Sequence, residues 1–351
     1  MAKSRGSALR TYVLRRLLLM WPTFFGITFA VFLLCQFVPG GPIDQLKMRM
    51  AGAGGSEMGA TGGGGRMVST IAIPEEQLET LKKYYGFDKP ILVRYVIYLK
   101  RLVTLDLGTS FRYTQPVIDI IKARFPISLF FGLITSALTY LVCIPLGISK
   151  ALRHKSAFDN ISSFVIFLLY AIPGYALGAV LLAFFAVQRD WFPLAGFQSA
   201  NFSELSSIGK VKDIAHHAIL PLICWSMGIF ALMTILMKNS LMENMSADYV
   251  KTALAKGLTW PRAVFGHAVR NSLIPLATSF GNNIAVILAG SLLIERVFNI
   301  PGMGMLFFES MTSRDYPVVM GFTVISSLLL LFGNLLSDLT VAAVDPRVRF
   351  E

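Results

Sequence analysis

Residues 248–275 read DYVKTALAKGLTWPRAVFGHAVRNSLIP, a polar and basic segment between two long apolar runs. The order of residues predicts two short helices about a single glycine. Ser246 stands where an N-cap belongs, Asp248 lies in the first turn where the helix dipole favours an anion, and Lys256 lies in the last turn. Gly257 then takes the C′ position, where glycine alone adopts positive φ at little cost. Thr259 caps a second helix whose first turn holds Pro261, where a missing N–H matters least. Val250, Ala253 and Leu254 make one apolar face; Trp260, Val264 and Ala268 make another. The segment reads as a rigid basic elbow beside a membrane, shaped to receive a soluble partner. An ordinary loop obeying the positive-inside rule would carry the same charge.

The membrane itself is read from composition. The chain has 351 residues, 54% of them hydrophobic and 15% charged, with a mean hydropathy of +0.62; ordinary soluble domains carry about 25% charged residues. Several uncharged runs reach the ~20 residues that cross a ~30 Å hydrocarbon core as helix. The net charge of +12 fits loops facing anionic headgroups and does not point to nucleic acid. Cys35, Cys143 and Cys224 each sit within an apolar run and read as small hydrophobes, neither a disulfide framework nor metal ligands. Lys3, Arg5, Arg10, Arg15 and Arg16 mimic a signal peptide. The apolar run behind them is too long for one and lacks a small-residue cleavage site, so it is kept as a span.

Taken in order, the chain predicts an all-α polytopic membrane protein with six transmembrane helices and a helical extramembrane insertion after the first. A cytoplasmic tail, 1–16, precedes the first span, 17–38, with Pro22 near its start and a PGGP turn at its end. The insertion covers 39–126. Its glycine-rich part, Gly52 to Gly65, holds eight glycines; helices follow at Pro74 to Tyr85, from Pro90 to about Val103, and at Pro116 to Arg124, with DLGTS (Asp106 to Ser110) between the last two. The transmembrane core occupies 127–337. Its spans run Ile127 to Ile148, Ile161 to Val187 (interrupted at Pro173-Gly174), Ala218 to Met237, Pro275 to Ile294 and Pro317 to about Ser337. The basic loop occupies 238–274, and a cytoplasmic tail 338–351. Fifteen Lys and Arg lie on the side of the termini and the elbow, against five in the short loops opposite, which puts both termini and the elbow in the cytoplasm. No internal repeat of fixed period stands out.

The chain has no H-E-x-x-H, no G-x-S-x-G and no Cys/His ligand set, the constellations that would point to an enzyme. His216 and His217 diverge by about 100° on a helix and cannot both face one metal, so they read as interfacial polar residues. Around Gly209-Lys210 the other P-loop glycine is missing and Val211 replaces the magnesium-binding hydroxyl, so ATP would have to bind another polypeptide. In the fifth span Ser279, Asn282 and Asn283, with Thr278, stand within the membrane; they line a path for a polar solute or make helix–helix contacts. Pro173-Gly174 is a working break or a kink. Asp338 falls at the cytoplasmic end of the last span, as an interfacial charge rather than a proton relay. Glu295, Arg296, Arg314 and Asp315 flank the last two spans on the outer side, either as a contact surface or as local ion pairs.

Lys251-Thr252-Ala253, Gly257 and Ile274-Pro275 resemble the EAA loop of ABC-importer permeases in the peptide and nickel uptake family, with Lys251 where the loop's name has Glu. GTSFRYTQPVIDIIKARFPIS (Gly108 to Ser128), AIPGY (Ala171 to Tyr175), GSLLIERVFNIPGMG (Gly290 to Gly304), SRDYPVVMG (Ser313 to Gly321) and VDPRVRF (Val344 to Phe350) are similar to further elements of that family. The glycine-rich insertion, GPIDQ (Gly41 to Gln45) and YGFDKP (Tyr85 to Pro90) resemble the Yej-type branch, B-type subunits of importers for oligopeptides and microcin C. The resemblance implies a type I ABC-importer permease core in the inner membrane and a subunit that is not itself an enzyme. It implies a coupling helix seated on an ATPase, with Lys251, Thr252, Ala253, Lys256, Gly257, Leu258 and Arg262 as the coupling residues. It implies no cofactor in this chain, ATP and Mg being held by the partner ATPase. The partners implied are a second permease subunit forming a heterodimer, two ATP-binding subunits or one fused tandem ATPase, and a periplasmic peptide-binding protein meeting Glu295, Arg314 and Asp315. Nickel or another small ligand is the alternative cargo. A secondary transporter would want an acidic residue near mid-membrane, and a membrane enzyme would want reactive side chains at matched depth; the sequence offers neither.

Overall fold

The computed structural model describes residues 2–37, 89–288 and 290–344, and the side chains of residues 2–10, 282, 284–288 and 344 are not among those described. The PGGP turn, the glycine-rich stretch, the helix expected at Pro74 to Tyr85 and the element VDPRVRF therefore lie outside the described residues, apart from Val344.

The described chain is helical, in chain order α1 (Ala2–Phe37), α2 (Ile91–Val103), α3 (Val117–Leu152), α4 (Ala157–Ala171), α5 (Gly174–Leu181, followed by a π-helical segment Leu182–Gln188), α6 (Ser207–Ser246), α7 (Asp248–Ala255), α8 (Trp260–Ala263, followed by a π-helical segment Val264–Ala268), α9 (Val269–Ser272), α10 (Ile274–Leu288), α11 (Leu292–Val297), α12 (Met303–Thr312) and α13 (Tyr316–Val344). Four helices (α1, α3, α6 and α13) are long and apolar enough to cross a membrane, and α4 with α5 makes a fifth candidate crossing bent by 92°. At 1.5 Å per residue α10 is about 22 Å long, short of the ~30 Å core. The chain turns at Gly290 before α11 begins.

Three expectations are corrected. The short helix at Pro116 to Arg124 and the span from Ile127 are one helix, α3, with Pro126 and Pro145 inside it. A proline removes one bond from a long ladder and ends a helix only where its neighbours offer no helical continuation. The Pro173-Gly174 interruption is a right-angled bend rather than a kink: Ile172 is extended at φ −87°, ψ 121°, as the residue before a proline is driven to be. Ser246 does not cap α7. It closes α6, its hydroxyl bonded to Glu243 O at 2.8 Å, and the cap position belongs to Ala247.

The chain divides into two compact units. The larger holds Met1–Phe24, Ile121–Phe308 and Ile325–Glu351. Its hub is α6, which packs on α4, α5, α7, α9, α10 and α11. With 40 residues α6 is about 60 Å long, so it crosses a bilayer and projects beyond it. Toward its C-terminal end Met237 and Leu241 are buried among Cys143, Val250, Val264, Ala268 and Leu276; near its middle, Cys224 and Trp225 pack with Phe131, Ile294 and Phe298. In the same unit α10 meets α13 backbone to backbone. A methyl at Gly281 would lie 1.7 Å from Gly333 O, Gly281 N donates to Ser337 Oγ (3.0 Å) and Thr340 Oγ1 donates to Ala277 O (2.9 Å). Small residues let two membrane helices close to this distance. Arg16 pairs with Asp338 (Nε–Oδ2 3.1 Å), which gives Asp338 a fixed partner at the helix end.

The smaller unit holds Phe25–Ile120 and Glu309–Val324. Phe32, Tyr95 and Met320 form its apolar centre, and the Tyr95 hydroxyl lies 2.8 Å from Thr28 Oγ1 and donates to Phe25 O.

Candidate functional site

The elbow forms as two helices about Gly257. Gly257, at φ +89°, donates to Leu254 O (2.9 Å), and Leu258 N donates to Ala253 O (3.2 Å). These two bonds are the Schellman closure, which satisfies carbonyls that the end of α7 would otherwise leave open. Lys256 occupies the cap itself. Thr259, extended at ψ 149°, starts α8 with Pro261 in its first turn, although its hydroxyl makes no capping bond.

Burial sorts the predicted coupling residues. Val250, Ala253, Ala263, Val264 and Ala268 are buried with Met237 and Leu241 of α6, and Leu254 and Leu258 pack against them half-buried. Ala253 and Leu258 therefore hold the elbow on α6. Lys251, Thr252, Lys256, Gly257 and Arg262 are exposed. Lys251 Nζ lies 2.9 Å from Asp248 Oδ1 and holds that carboxyl below the usual range, in a pair open to solvent and so of small stabilising value.

Trp260 departs from the expected apolar face and is 49% exposed; Phe265, whose place in the face the sequence did not assign, is 55% exposed. The π-helical segment after Ala263 shifts the register, so the inward face is Ala263, Val264 and Ala268, and two large rings point outward. An exposed surface of two aromatic rings with Lys251, Lys256 and Arg262 can insert into a groove and steer toward acidic rims. The signal in the sequence was Phe265 alone, which falls off the i, i+4, i+8 stripe of Trp260, Val264 and Ala268; no local pattern marked Trp260 as outward.

The residues expected along a path or at helix–helix contacts make the following bonds. Asn283 Nδ2 donates to Tyr140 Oη at 3.2 Å, a helix–helix contact between α10 and α3, and Ser279 Oγ bonds back to Pro275 O within its own helix. The side chain of Asn282 lies outside the described residues. A stripe on α3 that sequence reading missed (Thr135, Ser136, Thr139) is buried with hydroxyls that find no hydrogen-bond partner among the described residues.

On the outer side, Glu295 and Asp315 are both 0% exposed, which corrects their reading as contacts for a binding protein. Glu295 Oε2 accepts from Met305 N (2.7 Å) and Ser128 Oγ lies 3.5 Å from Oε1 while accepting from Met303 N (2.8 Å). The carboxylate thus sits on the N-terminus of α12, where backbone N–H groups and the helix dipole favour an anion. Burial pushes its carboxyl up to about 7 against those bonds. Asp315 accepts from Ser110 Oγ and from the N–H groups of Phe111 and Arg112 (both 3.1 Å), pinning the DLGTS loop. Arg314 is exposed, at φ 56°.

His216 bonds Trp191 O (2.7 Å) and His217 bonds Asp213 O (2.9 Å), so the two rings diverge. Among the described residues no group of three or more His, Cys, Asp or Glu side chains is placed to hold a metal.

Comparison with known proteins gives a consistent set. Residues 143–350 match the family described as "Binding-protein-dependent transport system inner membrane component". The chain is 39% identical to the "Peptidoglycan transport system permease protein YejB" of Agrobacterium fabrum, over 97% of this chain and 98% of that protein. It is 38% identical to the "Inner membrane ABC transporter permease protein YejB" of Escherichia coli O157:H7 (97% and 99%). It is 33% identical to the "Oligopeptide transport system permease protein AppB" of Bacillus subtilis (97% and 99%).

Proposed function

From the premise that this chain belongs to the family of binding-protein-dependent transport system inner membrane components, we propose that it is the permease subunit through which an ATP-driven importer passes peptides inward across the inner membrane. As a member of that family it is a non-catalytic subunit of an ABC importer, working with ATPase subunits and a binding protein. The finer reading is ours. Its partners are a second permease subunit, forming a heterodimer, and two ATP-binding subunits or one tandem chain that hold the ATP and Mg. Both termini and the elbow face the cytoplasm, and α10 together with the residues flanking it makes the sixth crossing. Arg314 belongs to the outer surface that meets the binding protein.

The observation that carries this reading is the elbow. It is closed by a glycine cap, anchored on α6 by Val250, Val264 and Ala268, and it turns Lys251, Lys256, Trp260, Arg262 and Phe265 outward. A rigid body on a long crossing helix transmits displacement, provided that the ATPase binds it differently in its two states. The reading predicts that proteoliposomes holding the full complex take up labelled oligopeptides only with ATP and a loaded binding protein present. Uptake by this subunit without an ATPase would overturn it.

A further inference from the structure

One buried ion cluster is not used by the elbow itself, and all of it lies in the larger unit. Lys150, in the last turn of α3, is fully buried, and its three N–H bonds go to Asp159 O (2.9 Å), Ser162 Oγ (2.7 Å) and Ser163 Oγ (2.8 Å), all on α4. An ammonium has three donors, so this joint is saturated without the Asp159 carboxylate. That carboxylate is buried in the first turn of α4. It accepts Lys238 Nζ of α6 on both oxygens at 2.7 Å and the N–H of Lys155 at 3.1 Å. A further cation, Lys150 Nζ at 3.2 Å, stands behind it, and the His154 ring lies beside it with Nδ1 at 3.4 Å.

The two lysines are therefore unequal. Lys150 fixes α3 to α4 through neutral acceptors and needs no carboxylate. Lys238 holds α6 to α4 through the carboxylate, and it lies about two turns before the end of α6, whose next residues lead into α7. Breaking a buried ion pair is costly because it strands a charge. Here the stranded charge has a cation 3.2 Å away, and Lys238, on the partly exposed side, can turn toward water.

We propose that the Lys238–Asp159 pair is a releasable latch between α6 and α4 that sets the resting position of the elbow, with Lys150 as the reserve counter-ion that keeps Asp159 charged when the latch opens. Lys238 and Asp159 are positioning residues for coupling, and the inference rests on the reading of the elbow as the ATPase contact. Opening the latch frees α6 to move with the elbow while α3 and α4 stay joined.

The test uses the complete importer in proteoliposomes with its binding protein and peptide. In Lys238→Met the resting constraint is gone, so ATP hydrolysis without the loaded binding protein is expected to rise about five-fold or more while uptake falls, and Lys238→Arg is expected to restore the wild-type pattern. If wild-type hydrolysis itself does not respond to the loaded binding protein, the functional reading fails. If the wild type responds and Lys238→Met matches it in hydrolysis and uptake, the latch alone is overturned. A second measurement needs no change at the latch: nitroxides on the exposed positions Asn160 and Asn239 report the α4–α6 separation by electron paramagnetic resonance. The separation is expected to lengthen between the nucleotide-free and ATP-trapped complexes, and an unchanged distance overturns the proposal.

Discussion

Replacing Gly257 tests the elbow most directly, because its surroundings isolate one cause. The residue sits at φ +89°, and a Cβ built there meets no heavy atom within 4 Å. Size is therefore not what excludes other residues; backbone conformation is. An L-residue held in the left-handed region costs about 1–2 kcal/mol. If the backbone relaxes instead, the bonds from Gly257 N and Leu258 N are lost, and at about 0.5–1.5 kcal/mol each they set a similar cost. Because the cheaper route is taken, Gly257→Ala is expected to leave about 5–30-fold less of the closed elbow, at about 1.4 kcal/mol per tenfold. Asn tolerates the left-handed region and is expected to cost less than Ala, whereas β-branched Val is expected to cost most. The affinity of purified ATPase subunits for the permease in nanodiscs should fall in the order Asn, Ala, Val, with peptide uptake following it. Wild-type docking and uptake in Gly257→Val, or Asn more harmful than Ala, would refute the reasoning.

Two further outcomes follow from packing and burial. In Gly281→Ala the new methyl meets Gly333 O, so α10 and α13 must part and the Ser337 and Thr340 bonds stretch; a loss of about 1–3 kcal/mol is expected in denaturant unfolding of the complex. A loss too small to resolve would show that the two backbones are not in contact. Glu295, pushed up to about 7 by burial, holds its proton more tightly folded than unfolded, where the ordinary value near 4.3 applies. Its contribution is thus fully present below about pH 4 and is lost as pH rises through 7, by at most about 4 kcal/mol. The stability difference between wild type and Glu295→Gln should therefore slope downward across pH 4–8, and an upward slope would contradict this assignment.

How far the elbow could be read depended on which forces are local. Gly257, Pro261 and the basic residues were legible because φ restriction, the missing proline N–H and loop charge act within a few positions of the chain. Trp260 was misread because periodicity assumes a regular helix, and the π-helical segment from Val264 to Ala268 changes which residues share a face. Ser246 was misread because its hydroxyl found an acceptor in its own helix, Glu243 O, before it could serve the next one.

The sequence by itself determined that the chain holds runs apolar enough to cross a membrane and that a glycine-hinged basic elbow lies between two of them. These are properties of runs and neighbours, set by hydrophobicity, charge and backbone sterics. Only the tertiary structure decided that Glu295 and Asp315 are buried anchors rather than surface contacts, that Asn283 is spent on Tyr140, and that Lys150 and Lys238 share one carboxylate. The partners in those contacts lie tens to hundreds of residues apart, and whether a polar group faces water or another helix is fixed by packing, which no local pattern encodes.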